Sequence, residues 1–443
     1  MHAELDTLRQ TAQSALALAR EAGADQAEVS AGFERGLSVS VRLGDVETLE
    51  HQQDRSLSIT VYFGGRRGSA ATADIGPEAL AQTVRKACSI ATHTARDEYA
   101  GLPEPEHLAD SPPDLDLHHP WALSPEDAMA LARECEAAAL AVDPKRLTNS
   151  EGASVHTGSG VRVLANSHGF CAGYPSSYHS LSCAVLGRDG DAMERDFWYT
   201  ADRDPAKLDA AGSVGREAAR RTLQRLGATR LDTREVPVLF PPELARGLVG
   251  HAIAALGGTA QYRRSSFLLD ALGEQVFPAW LSISERPHLR GATGSAPFDA
   301  EGVATRDREL VAGGRIEGYL LSSYSARKLG RTTTGNAGGA HNLLVAASTG
   351  DGFDALVAGL DRGLIVTELM GQGVNPVTGD YSRGAAGLWV EHGRITGPVH
   401  EITIAGNLRR MYAGIVATGS DVDARGSIQV GSVLVDRMTI AGG

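Results

Sequence analysis

Residues 27–52 read "AEVSAGFERGLSVSVRLGDVETLEHQ". Apolar side chains fall on one parity: Val29, Ala31 and Phe33, then Leu37, Val39 and Val41 beyond Arg35-Gly36. A period of two puts one face of an extended chain in a core and the other in water, so the stretch predicts strands. "RSLSITVYFGG" (55–65) continues the alternation, and Gly and Asp punctuate the runs as antiparallel turns do.

Outward from these strands the period changes. Leu8, Ala12, Ala15, Leu16 and Ala19 recur at three- and four-residue steps, which predicts a helix over 5–21 ended by Gly23. "GPEALAQTVRKACSIATHT" (76–94) is helical again, with Pro77 near its start. After a Pro- and acid-rich crossing segment the order returns. A helix over 124–142 is capped by Ser124 and opened by Pro125. Strand-like runs follow at 153–169, 177–187 and 193–200. A helix over 204–227 closes the unit, capped by Asp204 with Pro205 at its first position. From 230 on, short β-like runs such as "EVPVLF", "GLIVTEL" and "SVLVDRMTIAG" dominate, with dense glycine between them. Only 241–256 and "SFLLDALGEQV" (266–276) have a helical pattern. The expectation is an α+β chain: two helix–antiparallel strands–helix units at 1–105 and 124–229, a linker at 106–123, and a mostly β unit of many short strands at 230–443.

The 443 residues carry 54 acids against 42 bases, a formal charge of -12. That balance argues against a nucleic-acid partner, whose phosphates call for a basic surface. No apolar run of 18 residues occurs, so no membrane helix is expected. Four unevenly placed cysteines and no signal-peptide pattern point to a cytoplasmic protein with free thiols.

Four constellations could carry chemistry. In "GLVGHAIAALGG" (247–258) His251 sits where a zinc-peptidase helix places its first ligand, but Ala252 follows it and Ala255 stands four residues on. One imidazole cannot hold catalytic zinc, so the residues read as a core helix. His168-x2-Cys171 with His179-x3-Cys183 has metal-like spacing but lacks a tight knuckle, and competes with ordinary buried thiols on strands. Hydroxyl-rich loops at 322–325 and 331–336 lack a nucleophile elbow. In 367–395 glycines at 371, 373, 379, 384 and 387 surround Asn375-Pro376 and Asp380. They read either as tight β-turns or as a place where an extended peptide's backbone comes close.

That last segment, with "TTTGNAGG" (332–339) and the closing "SVLVDRMTIAGG" (432–443), resembles the TldD/PmbA family, and its PmbA (TldE) branch more closely. The resemblance covers nearly the whole chain. It implies a heterodimeric metallopeptidase of unfolded or small peptides, including maturation of ribosomally made ones. The TldD-type subunit brings an H-E-x-x-x-H helix and a C-terminal Cys for zinc. Carried onto this sequence, His251 falls at the first His, Ala252 at the base and Leu256 at the second His. No cysteine lies beyond Cys183. The chain then has no catalytic or metal-binding residue of its own, and zinc comes from a TldD-like partner subunit. Thr334, Gly335, Asn336, Gly371, Gly373, Asn375 and Asp380 are the candidates to line a cavity for extended peptide. The rival reading is a stand-alone homodimeric binding or regulatory protein with the same fold.

Overall fold

Helix α1 (His2–Glu21) turns Leu5, Leu8, Ala12, Ala15 and Ala19 to one buried face and gives way at Gly23, whose φ of +84° carries no Cβ penalty. The coordinates are a computed structural model that describes residues 1–442. β1 (Gln26–Arg42) and β2 (Asp45–Phe63) pair antiparallel from Gln26 opposite Tyr62 to Arg42 opposite Asp45. β3 (Arg66–Thr72) adds to β2, and α2 (Pro77–His93) packs back. The second unit supplies α3 (Pro125–Leu140), β4 (Asn149–Asn166), β5 (Cys171–Asp189), β6 (Ala192–Asp202) and α4 (Ala211–Arg225). β1 also pairs with β4, so the strands of both units make one antiparallel sheet in the order β3-β2-β1-β4-β5-β6. Val29, Ala31 and Phe33 lie under α1 and α2. Leu37, Val39 and Val41, on the same parity, lie under α3 and α4. The two helix pairs thus cover successive lengths of the same long strands.

The β1–β2 turn runs through Leu43 and Gly44, both at positive φ. Their N–H groups donate to the buried Glu136 carboxylate of α3 at 2.8 and 2.9 Å, which ties the turn to the helix layer. β3 covers only Leu57–Phe63. Among the described residues the outer edge of β2 from Asp45 to Ser56 therefore carries no strand.

The C-terminal half opens with β7 (Arg234–Phe240), α5 (Pro242–Ala255) and α6 (Gly258–Tyr262). β8 (Ile283–Glu285), β9 (Arg308–Ala312), β10 (Arg315–Ile316), α7 (Ser323–Lys328), β11 (Leu343–Val345) and α8 (Phe353–Ala358) follow. It ends with β12 (Arg362–Met370), β13 (Asp380–Glu391), β14 (Arg394–Asn407), α9 (Leu408–Ala413), β15 (Ile415–Thr418), β16 (Ile428–Gln429) and β17 (Val433–Gly442). One sheet runs β14-β13-β12-β7-β17-β15. Because β14 pairs with β17 as well, five of its strands close on themselves. A second sheet runs β10-β9-β8-β11-β16. The α+β expectation, with a strand-rich C-terminal half, agrees with this architecture.

The helices differ from expectation in three ways: α6, α7, α8 and α9, each of five or six residues and too short to show a period, were not expected, and two expected helices are altered. Residues 266–276 form turns, not a helix. Asp270 and Gly273 take positive φ, and Gly273 N–H donates across to Ile316 of β10 rather than along its own segment. The 204–227 helix is interrupted. Asp204 caps a single 3-10 turn at Pro205–Lys207, and α4 starts anew at Ala211 after Asp209 N–H has bonded to Thr200 Oγ1.

The crossing segment lies between the halves. Leu115 and Leu117 are buried, and their carbonyls accept from Gly291 and Ser177. At the same seam Glu28 of β1 stands near Glu301 and Asp299. Burial, then Glu301, pushes Glu28 up to about 7. Burial also lifts Asp299 to about 7, against three backbone N–H donors. A carboxyl whose pKa rises on folding stabilises the fold fully below its unfolded value and loses that contribution as pH rises through the folded one. Stability is therefore expected to fall between about pH 4.5 and 8, by about 1–3 kcal/mol from this cluster. Glu28→Gln should flatten the fall in thermal melts recorded across that range. An unchanged slope would remove Glu28 as its cause.

Candidate functional site

Pro241 and Pro242 stop β7 and start α5, with Pro242 at a position that needs no N–H. The helix buries Ala245, Leu248, Val249, Ala252 and Ala255 in the C-terminal core, together with Val238, Ile283 and Ile402. Tyr412 Oη donates to Leu248 O at 2.8 Å and anchors it. His251 is half-buried on its third turn. Its ring meets Tyr381 edge-on, with centroids 6.2 Å apart at 76°. Burial, helped by Arg383, holds the imidazole below its ordinary pKa, which keeps it neutral at pH 7.

Tyr381 and Arg383 are alternate residues of β13 and so share a face. Tyr381 is buried, and its Oη has no hydrogen-bond partner. Burial pushes the phenol up to about 12, against the opposing pull of Arg383. Arg383 Nε is likewise buried without a partner, while its Nη2 donates to Leu369 O at 3.4 Å. The set around His251 therefore offers an imidazole, a phenol and a guanidinium. Tyr381 and Arg383 were not among the sequence candidates. Their alternation in "DYSRG" was the available signal, but nothing local said that it faces His251.

A zinc ion needs three or four nitrogen, oxygen or sulfur donors at about 2.0–2.3 Å. Ala252 is 1% exposed and Leu256 is fully buried, each in the apolar core. Among the described residues no group of three or more His, Cys, Asp and Glu side chains could hold a metal ion. The residues around His251 do not fit zinc.

The glycine-rich loop joins β12 to β13 beside this site. Asn375 Oδ1 accepts from Val377 and Thr378 N–H, Asp380 Oδ2 accepts from Thr378 Oγ1 at 2.7 Å, and Asn407 Nδ2 donates to Asp380 Oδ1. Gly371 has a φ of +74° and open space around it. At Gly373 an added Cβ would stand 1.7 Å from Ser382 O. The loop's own bonds are those of a tight hairpin, and Tyr381 joins it directly to His251.

Thr334–Asn336 lies behind the far end of α5. Leu320 N–H donates to Leu256 O, and Leu321 O accepts from Thr334 N–H. Asn336 is buried with both amide atoms engaged, Nδ2 to Glu285 Oε1 at 2.8 Å and Oδ1 from Arg308 and Thr334. Gly335, at φ +71°, lies close under Ala304 O and passes its carbonyl to His341. The 371–380 hairpin leads into Tyr381, the residue that meets His251. The structure ties 334–336 into an internal polar network.

The metal-like spacing does not converge. Cys171, His179 and Cys183 are strung along β5, eight and four residues apart, so at about 3.3 Å per residue the first two are about 26 Å apart. His168 Nδ1 lies 3.0 Å from Pro103 O. His179 is bonded through both ring nitrogens, to Thr157 and to His119 O. Cys183 is buried beside Cys135, whose thiol it pushes up together with burial.

Comparison with known proteins gives a consistent set of likenesses. Family profiles of the PmbA/TldA metallopeptidase match in three blocks: domain 1 at 27–91, the central domain at 118–226 and the C-terminal domain at 233–442. Metalloprotease PmbA of Escherichia coli O157:H7 is 48% identical over 442 residues, covering all of this chain and 98% of that one. A Bacteroides thetaiotaomicron protein described as a modulator of DNA gyrase superposes with a TM-score of 0.92 at 29% identity, covering 98% of each chain. TldE of Thermococcus kodakarensis superposes with a TM-score of 0.86, covering 98% of this chain and all of that one. At 20% identity that likeness is one of fold.

Proposed function

Because this chain belongs to the PmbA/TldD metallopeptidase family, we propose that it is the TldE-like subunit of a two-chain zinc peptidase acting on unfolded or small peptides, with zinc and base supplied by a TldD-type partner. The observation that carries the reading is α5. It keeps the helix and one imidazole, and buries Ala252 and Leu256 where a base and a second ligand would stand. Amide hydrolysis by zinc needs an open metal position and a group to take a proton from the bound water. His251, Tyr381 and Arg383 can orient a polar group by hydrogen bonds and charge, and none of them is a metal-bound base.

A second feature supports a partner chain. The bare edge of β2 presents unpaired backbone groups from Asp45 to Ser56, and Leu43, Val46 and Leu49 leave apolar side chains in water at the same end. Long free edges are templates for strand addition and are ordinarily covered. This edge also carries Asp45, Glu47, Glu50 and Asp54 against one arginine, Arg55, which pairs with Glu4, so two copies laid edge to edge would set mostly acid against acid. That disfavours the stand-alone homodimer and favours an unlike partner.

The test is a peptidase assay on unfolded casein with the purified chain alone and with a TldD-type subunit, each with and without a chelator. Cleavage is expected only from the pair, and the chelator should abolish it. Chelator-sensitive cleavage by the pure chain alone would sink the reading. So would a pair no more active than the TldD-type subunit by itself.

A further inference from the structure

A cleft of about 510 Å³ runs between α4 and the closed strands of the C-terminal half, away from His251. That is the size range in which proteins enclose small ligands, and a seam between units is a usual place for one. Its two walls differ in kind. On the α4 side Glu217, Arg220, Arg221 and Gln224 recur at three- and four-residue steps, so one polar helix face looks into the cleft. The opposite wall is apolar, from Phe353, Ile365 and Leu388. Two further apolar residues stand in water at its mouth, Ile395 at 42% and Val422 at 44% exposed.

The charges of the lining do not balance. Six of its side chains are carboxylates and three are guanidiniums, while Arg225 and Arg246, outside the lining, also pair with Asp196 and Asp423, so the negative surplus rests on Asp209 and Asp421. Each guanidinium is already matched. Arg221 pairs with Glu243 at 2.6 Å and with Asp196, and Arg220 bonds Glu217 through two nitrogens. Arg425 pairs with Asp423 and stands 4.3 Å from the ring centroids of both Trp198 and Tyr199. The arginines are therefore committed to the protein, and Asp209 remains exposed at the rim. Thr367 Oγ1, also in the lining, is buried without a hydrogen-bond partner. The cleft thus combines an apolar wall with a surplus of negative charge.

The geometry points to a binding site for a short cationic peptide segment, an apolar side chain seated against Ile395 and Val422 beside an ammonium or guanidinium drawn by the carboxylate surplus. An anionic ligand would meet repulsion from the same lining, and a purely apolar one would leave the charge surplus unanswered. The cleft lies wholly within this chain. The inference therefore holds or fails independently of the subunit reading, and its test needs no partner.

The probe is the dipeptide amide Leu-Lys-NH2, titrated by calorimetry into the full-length chain at low salt, with N-acetyl-Leu-Glu-NH2 as the control. Saturable binding of the cationic probe is expected with a dissociation constant of about 1 mM or lower. The acidic control should bind at least about tenfold more weakly, and added salt should weaken the cationic probe. Ile395→Lys and Val422→Trp change exposed positions and should keep the wild-type melting temperature. The first sets a charge against the cation and the second fills the mouth, so each should weaken the probe about tenfold or more. No saturation by about 10 mM, equal binding of the two probes, or unchanged affinity in both folded variants would each overturn the site.

Discussion

Glu285→Ala is expected to cost about 3–5 kcal/mol of stability, the usual result of removing one partner from a buried ion pair. Glu285 is 1% exposed and lies opposite Arg308 in the β8–β9 register. Its Oε2 accepts from Arg308 Nε at 2.6 Å, and its Oε1 accepts from Asn336 Nδ2 and His341 N–H, each at 2.8 Å. Alanine would strand a guanidinium whose other nitrogens reach Tyr319 O and Asn336 Oδ1, and would leave His341 N–H without its acceptor and Asn336 Nδ2 with only Gly339 O. The loss should not stay local, because Asn336 holds Thr334, Thr334 holds Leu321, and Leu320 holds the end of α5 through Leu256. Denaturant unfolding measures the cost. The double change Glu285→Leu with Arg308→Leu should recover a large part of it, since an apolar pair leaves no buried charge unpaired. A single variant within about 1 kcal/mol of wild type would show that water reaches the site and replaces the carboxylate.

Thr334, Gly335 and Asn336, which the sequence offered as candidates to line a peptide cavity, are engaged in this internal network. Polar residues around a glycine at positive φ mark a place where backbone and side chains are constrained. Whether the constraint serves a ligand or the protein depends on Glu285 and Arg308, 51 and 28 residues away in sequence. Local order was more legible. The odd-numbered apolar residues of β1 predicted both their strand and their buried face, because alternation is a property of neighbours. The same residues could not say that α1 and α2 cover Val29 while α3 and α4 cover Val39, nor that β1 pairs with β4 across more than a hundred residues. The stretch 266–276 had helical spacing but spends the N–H groups of Phe267, Gly273 and Val276 on other segments. His168, Cys171, His179 and Cys183 looked clustered because they are close in sequence, and an extended strand spreads such neighbours apart. His251 carried its meaning through what surrounds it: Ala252 and Leu256 were visible in the sequence, Tyr381 and Arg383 were not.

Gly373→Ala should disturb the β12–β13 hairpin far more than Gly371→Ala, although both change a glycine of the same exposed loop. At Gly371 the added methyl meets no atom within 4 Å, and only the φ of +74° opposes it, a penalty of about 1–2 kcal/mol. At Gly373 the same methyl would stand 1.7 Å from Ser382 O and 2.8 Å from its carbonyl carbon, so backbone must move. Ser382 N–H donates to Gly373 O at 2.7 Å, and Val374 bridges Tyr381, so the displaced segment is the one that carries Tyr381 and Arg383. The cost should reach about 3 kcal/mol or more if the hairpin stays closed. If it opens instead, the melting temperature should fall less, and the edge contact between Tyr381 and His251 should be lost. The two cases separate by experiment: thermal melts read the first, and the His251 imidazole resonance, freed from the Tyr381 ring, reads the second. In either case a pair reconstituted with a TldD-type subunit should lose more peptidase activity with Gly373→Ala than with Gly371→Ala. Equal activities, with equal melts and an unmoved resonance, would mean that the hairpin neither packs as described nor supports the His251 site.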